Sequence, residues 1–269
     1  MNILKFIETF TDEGVMNSKG SRRESFTQFG TIGKNLALAS IPFGLAALSS
    51  KSYAQDITPT PNTPIGALQF ALVLEYLEDE FYQMGLSSGV IPAAENGGRD
   101  LKVFQKIAQH ESDHVAFLIA GLGGTASANF VAKPTFDFTA GGLFDPFGDY
   151  QQFLALAQAF EDTGVRAYKG QAGNLISTPD LLTAALQIHS VEARHASEVR
   201  RLRGQKGWII GSDRGGLPSQ AQGTYDGEEN VNQAGYNTST LFGVGAGTES
   251  FDEALNTQQV VNIANLFIV

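Results

Sequence analysis

The chain has 269 residues, a formal charge of −10, 42% hydrophobic content and 19 phenylalanines, ample for one well-buried core but short for two large domains. It has no cysteine, which excludes disulfides, thiolate metal sites and cysteine nucleophiles and leaves oxygen and nitrogen donors for any metal. No basic stripe offsets the acidic balance: Arg200, Arg201 and Arg203 form a short cluster at an expected helix end, where cations offset the dipole, so nucleic acid is not an expected partner.

The amino-terminal part carries Ser21-Arg22-Arg23-Glu24-Ser25-Phe26, then Lys34, an apolar run from Leu36 to Leu48, and Ser52-Tyr53-Ala54. The run is about a dozen residues, too short for a bilayer span, and Ser-x-Ala is an acceptable cleavage pattern before Gln55. Residues 1–54 therefore read as an export signal that resembles the bacterial twin-arginine type, with Phe26 one residue later than that pattern prefers. An uncleaved amphipathic helix is the alternative. Residues 55–63, with two prolines, read as a linker.

Four helical stretches follow. The first spans about 64–84, with Thr63 as N-cap and Pro64 in the first turn; Leu68, Ala71, Leu72, Glu75, Asp79 and Tyr82 recur at helical spacing. The second spans about 100–122, capped by Asp100 and stopped by Gly121, Gly123 and Gly124. The third spans about 149–172, and the fourth about 178–203, begun by Thr178-Pro179. Short loops join first to second and third to fourth. The segment 123–148, long enough to span the bundle, reads as a crossover packed down by Phe136, Phe138, Phe144 and Phe147. The expected fold is all-α, a four-helix bundle over residues 64–203. Residues 204–269 read as a Gly/Asn/Ser-rich extension that ends in a short docking helix through Val260, Val261, Ile263, Ala264 and Leu266.

The chemistry lies in a repeated motif. Glu-x-x-His occurs as Glu111-Ser112-Asp113-His114 and as Glu192-Ala193-Arg194-His195, and residues three apart on a helix share a face. Glu75 and Glu161 supply one further carboxylate from each of the other two helices, so the set suits two metal ions. Rising about 1.5 Å per residue, Glu75 and Glu111 lie roughly 15 and 17 Å above their loop, and Glu161 and Glu192 roughly 17 and 21 Å above theirs. The four carboxylates thus converge near mid-bundle. Each half also repeats a Glu followed seven residues later by a tyrosine, Glu75 with Tyr82 and Glu161 with Tyr168; either tyrosine can hydrogen-bond a carboxylate of the site or serve as a packing residue. Glu78 and Asp79 compete with Glu75, which is preferred for its tyrosine spacing and apolar flanks, leaving them on a solvated face or outside the ligand set. His110 and His189 are read as outer or surface residues.

With these residues the stretch 64–203 resembles the ferritin-like superfamily, and within it exported ferritin-like proteins related to desiccation-associated proteins. The resemblance implies that Glu111 and Glu192 bridge two metals as the catalytic ligands, that His114 and His195 cap one each, and that Glu75 and Glu161 are terminal ligands. The amino-terminal segment and the carboxy-terminal extension depart from cage-forming ferritins, so the expected state is a monomer or a homo-oligomer but not a cage. A carboxylate and imidazole set suits two Fe or Mn ions acting on dioxygen or peroxide. The leading expectation is an exported, periplasmic or extracellular ferroxidase or peroxide-consuming oxidoreductase in metal or oxidative-stress defence. A manganese catalase-like enzyme and a structural, desiccation-protective protein without turnover are the alternatives.

Overall fold

The computed structural model describes residues 56–93 and 95–269; the expected export segment lies outside the described residues. Four long helices carry the architecture: α1 (Pro64–Ser88), α2 (Arg99–Gly121), α3 (Tyr150–Leu175) and α4 (Pro179–Leu202). α2 packs back on α1, α4 packs back on α3, and α1 and α3 join the two hairpins. Among the described residues no helix is long and apolar enough to cross a membrane.

The helix ends follow local chemistry. Thr63 caps α1 by accepting a hydrogen bond from the Gly66 amide, with Pro64 in the first turn, and Asp149 caps α3 by accepting from Gln151 and Gln152. The expected cap at Asp100 is corrected. α2 begins one residue earlier from Gly98, which sits in the left-handed region at φ 71°, and Asp100 instead accepts the Tyr150 hydroxyl at 2.8 Å. The crossover is packed down as expected. Phe138 and Phe147 lie with ring centroids 5.3 and 5.7 Å from that of Phe81, which also stacks on Phe153 at 4.8 Å, so the crossover closes one end of the bundle core.

The extension is more ordered than its composition suggests. It comprises a 3₁₀ turn at Ser219–Thr224, a two-stranded antiparallel ribbon with β1 (Asn232–Gln233) and β2 (Tyr236–Asn237), and two helices, α5 (Ser239–Glu249) and α6 (Thr257–Ala264). α6 is closed by a capping box between Asn256 and Gln259 and docks through Val260, Val261 and Ala264 onto Phe70, Val73 and Leu74 of α1. The final residues bridge back to the crossover, Phe136 opposite Ile268.

One buried ion pair ties α4 to α3, and a second, with a buried tyrosine, fastens the extension to α3. Arg200, expected to offset a helix dipole in solvent, is buried and grips Asp162 through Nε at 3.0 Å and Nη2 at 2.5 Å, while the Tyr225 hydroxyl donates to the same carboxylate at 2.8 Å. Arg166 pairs with Glu228 at 2.8 Å and donates to the carbonyls of Thr224, Asp226 and Glu253. Because both faces of α3 are covered, it is buried almost all round from Phe153 to Tyr168. Asp162→Ala leaves the Arg200 guanidinium buried without its carboxylate and is expected to cost about 3–5 kcal/mol in urea unfolding. Glu198→Ala, which breaks the exposed pair with Arg99, should leave the midpoint nearly unchanged. Equal midpoints for the two variants would contradict this role of the Asp162 pair.

Candidate metal centre

Glu75 of α1, Glu111 of α2, Glu161 of α3 and Glu192 of α4 are each 0% exposed and meet at mid-bundle. One oxygen or nitrogen from each of Glu75, Glu111, His114 and Glu192 falls within 4.8 Å of the others, and the same holds for Glu111, Glu161, Glu192 and His195. Two four-residue clusters therefore share Glu111 and Glu192.

The shared carboxylates divide their oxygens between the clusters. Glu111 places Oε2 at 3.0 Å from His114 Nδ1 and Oε1 at 2.9 Å from His195 Nδ1; Glu192 places Oε1 at 3.1 Å from His114 Nδ1 and Oε2 at 3.6 Å from His195 Nδ1. Glu75 and Glu161 each face one histidine, Glu75 Oε2 at 3.2 Å from His114 and Glu161 Oε2 at 3.4 Å from His195. Their remaining oxygens accept hydrogen bonds from tyrosines of the opposite hairpin: Tyr82 donates to Glu161 Oε1 at 2.5 Å, and Tyr168 donates to Glu75 Oε1. The seven-residue spacing thus works across the pseudo-twofold axis, each tyrosine steadying the other helix's glutamate.

Several inward atoms have no hydrogen-bond partner. Glu111 Oε1, Glu161 Oε2, both oxygens of Glu192 and His195 Nδ1 are buried and unsatisfied. Close approach without hydrogen-bond alignment is what donors aimed at a common third point produce. Buried polar atoms ordinarily carry partners, so these residues fit a group of positively charged ions. Four carboxylates would also match the charge of two divalent cations, with both histidines neutral.

The outer contacts refine the picture. His110 is half-buried, and its Nδ1 lies 2.9 Å from His195 Nε2, with burial followed by the neighbouring His195 and His114 holding its pKa down. When both imidazoles are neutral, His110 Nδ1 can accept from His195 Nε2–H, an arrangement that turns His195 Nδ1 inward as an acceptor. His189 belongs to neither cluster and faces the Val165 backbone. Asp79 accepts the Ser112 hydroxyl at 2.6 Å outside the clusters. Glu78 corrects one half of the expectation, which set it either on a solvated face or just outside the ligands. It is 3% exposed rather than solvated, and its carboxyl is pushed well up by burial and then by Glu192 and Glu161.

Residues 63–205 match the family model of the ferritin-like domain. The chain belongs to the ferritin-like family. No curated protein matches it. The paired hairpins and buried carboxylate and histidine clusters lie within the ferritin-like part of the chain, and the extension lies almost wholly beyond it.

Without metal, electrostatics divides this ferritin-like site. Burial pushes the Glu161 carboxyl from 4.5 up to about 7 and raises Glu111 well above its ordinary value. Burial opposes protonation of His114 and His195, yet the surrounding glutamates override it and raise both, and the two imidazoliums in turn hold Glu192 low against its own burial. Between pH 4.5 and about 7 the folded chain therefore keeps a proton on Glu161 that the unfolded chain has released, so stability is fullest below 4.5 and is lost as pH rises toward 7. Raised Glu78, Glu111, His114 and His195 act with the same sign, while the lowered Glu192 matters only on the acid side. Thermal melts of chelator-treated protein should show the melting temperature falling between about pH 5 and about pH 7.5, as stability drops by on the order of a few kcal/mol. A midpoint that rises over that range would contradict this electrostatic reading.

Proposed function

We propose that this ferritin-like protein holds two Fe or Mn ions and acts as a ferroxidase or peroxide-consuming oxidoreductase. The sharing of Glu111 and Glu192 between two clusters carries the reading, supported by the unsatisfied atoms that line both. In it Glu111 and Glu192 would be shared by the two ions, His114 and His195 would each hold one, and Glu75 and Glu161 would each serve a single ion. Hard oxygen donors with one imidazole per position, and no thiolate, suit iron or manganese.

Bound iron or manganese would supply one-electron redox steps toward dioxygen or peroxide. The chain's own residues set the conditions. Tyr82 and Tyr168 occupy one oxygen of each terminal glutamate and leave the other for a metal. His110 fixes the His195 tautomer. His114, with a side chain 12% exposed against none for the four glutamates, marks the side from which a small oxidant reaches the centre.

Export belongs to the same reading, supported by Arg22-Arg23, the short apolar run and Ser-x-Ala before Gln55. Folding and loading before export would keep tighter-binding copper and zinc from the ligands. A second reading, a desiccation- or stress-protective bundle without turnover, is favoured by the burial of all four carboxylates, which narrows access. Manganese catalase-like activity is the other enzymatic outcome.

Protein purified from its exported fraction is expected to carry about two Fe or Mn per chain by elemental analysis, and Glu111→Ala with His195→Ala to carry almost none. Ferrous-iron oxidation and peroxide consumption should disappear in that double variant, and oxygen release from peroxide separates the catalase outcome. Wild-type protein holding neither metal would refute the proposal, and metal without turnover would favour the protective reading.

A further inference from the structure

The two hairpins carry their glutamates, histidines and tyrosines at matching positions but differ three residues beyond the terminal glutamates. Glu75 and Glu161 correspond, as do Tyr82 and Tyr168, but Glu75 is followed three residues later by Glu78 and Glu161 by Gly164. Residues three apart share a helix face, so both positions look toward the centre. One half offers a fifth carboxylate there; the other offers bare backbone.

The glycine makes room for that carboxylate. A Cβ on Gly164 would lie 3.2 Å from Glu78 Oε1 and 3.9 Å from both Cγ and Oε2 of Glu192. Glu78 thus reaches across from α1 to the same patch of α3 backbone that Glu192 Oε2 approaches. That Glu192 oxygen is the one nearer His195, and it is unsatisfied, as are Glu161 Oε2 and His195 Nδ1 beside it. Glu78 itself is 3% exposed and makes no hydrogen bond or ion pair among the described residues. Behind it lies a small cavity, about 20 Å³, walled by Leu77, Phe160, Ile263 and Ala264, which gives the side chain space to adjust or to share one water.

An unpaired buried carboxylate is unfavourable unless something takes up its charge, and the Glu192 oxygen that approaches the same α3 backbone as Glu78 is the unsatisfied one on the His195 side. We propose that Glu78 is an additional oxygen ligand of the metal position bounded by Glu161, Glu192 and His195, making the two positions chemically unequal. The proposal rests on the dinuclear reading and deepens it. The position bounded by Glu75 and His114 has Gly164 where a matching carboxylate would stand, so it lacks the extra donor and the extra negative charge. The richer position binds divalent metal more tightly and fills first.

Calorimetric titration of chelator-treated, full-length protein with Mn(II) tests this without any turnover. Wild type is expected to bind in two steps of different affinity. Glu78→Gln, which keeps the shape and removes the charge, should weaken the tighter step about 10- to 100-fold and leave the second nearly unchanged. Gly164→Ala, which crowds Glu78 Oε1, should weaken the same step by less. Glu78→Asp should recover part of the loss, as a ligand role requires and a packing role does not. Circular dichroism and melting confirm that each variant is folded. Two wild-type steps retained unchanged by Glu78→Gln would overturn this inference alone, whereas wild type that takes up no metal would overturn the dinuclear reading with it.

Discussion

The structure depends on a cluster of carboxylates that has been removed from water. Four glutamates from four helices, with Glu78 beside them, lie in an apolar bundle, and in the metal-free chain their mutual repulsion is offset by raised affinity for protons at Glu111 and Glu161, by the His114 and His195 imidazoliums and by the two tyrosine hydroxyls. A buried charge of this kind is strongly unfavourable without compensation. The remaining architecture can be read as what keeps these groups together. Two helical hairpins bring the glutamates to one depth, the crossed tyrosines hold the terminal pair, and His110 holds one imidazole. Aromatic packing around Phe81 and the docked extension stiffen the frame, as a site held to fractions of an ångström requires.

The extension does more than close the chain. By covering the outer face of α3 it converts a half-exposed bundle helix into one buried on every side, and the polar residues on that face must then be paired. Asp162 with Arg200 and Tyr225, and Arg166 with Glu228, satisfy that requirement. The gain is positional. α3 carries Glu161, Gly164 and Tyr168, so fixing its rotation and depth fixes three contacts of the centre at once.

Much of this was legible in the sequence because the bundle repeats itself. Glu-x-x-His twice, and a glutamate seven residues before a tyrosine twice, are spacings that a helix turns into shared faces, and the structure brings Glu75, Glu111, His114, Glu161, Glu192 and His195 together. Several features were hidden for one physical reason: a helix buried all round gives no amphipathic signal. α1 is buried from Gly66 through Glu78 apart from Gln69, so periodicity could not separate Glu78 from a solvated residue. α3 is buried in the same way, which hid Asp162 and Arg166, and Arg200, in the last turn of its helix as expected, has in addition a buried partner that lies far away in sequence. The mismatch of Glu78 with Gly164 was visible once the two halves were aligned on their tyrosines, and only the close approach at Gly164 gives it meaning. Asp100 misled because acidic residues suit both a cap and a first turn.

The central claim is that two ions occupy the clusters joined by Glu111 and Glu192. Anomalous X-ray scattering from crystals of metal-loaded protein, collected at the iron and manganese edges, tests it most directly. The account predicts two peaks inside the bundle, one bounded by Glu75 and His114 and the other by Glu161 and His195, with Glu111 and Glu192 between them. An empty bundle, or metal bound only at other residues, would contradict it.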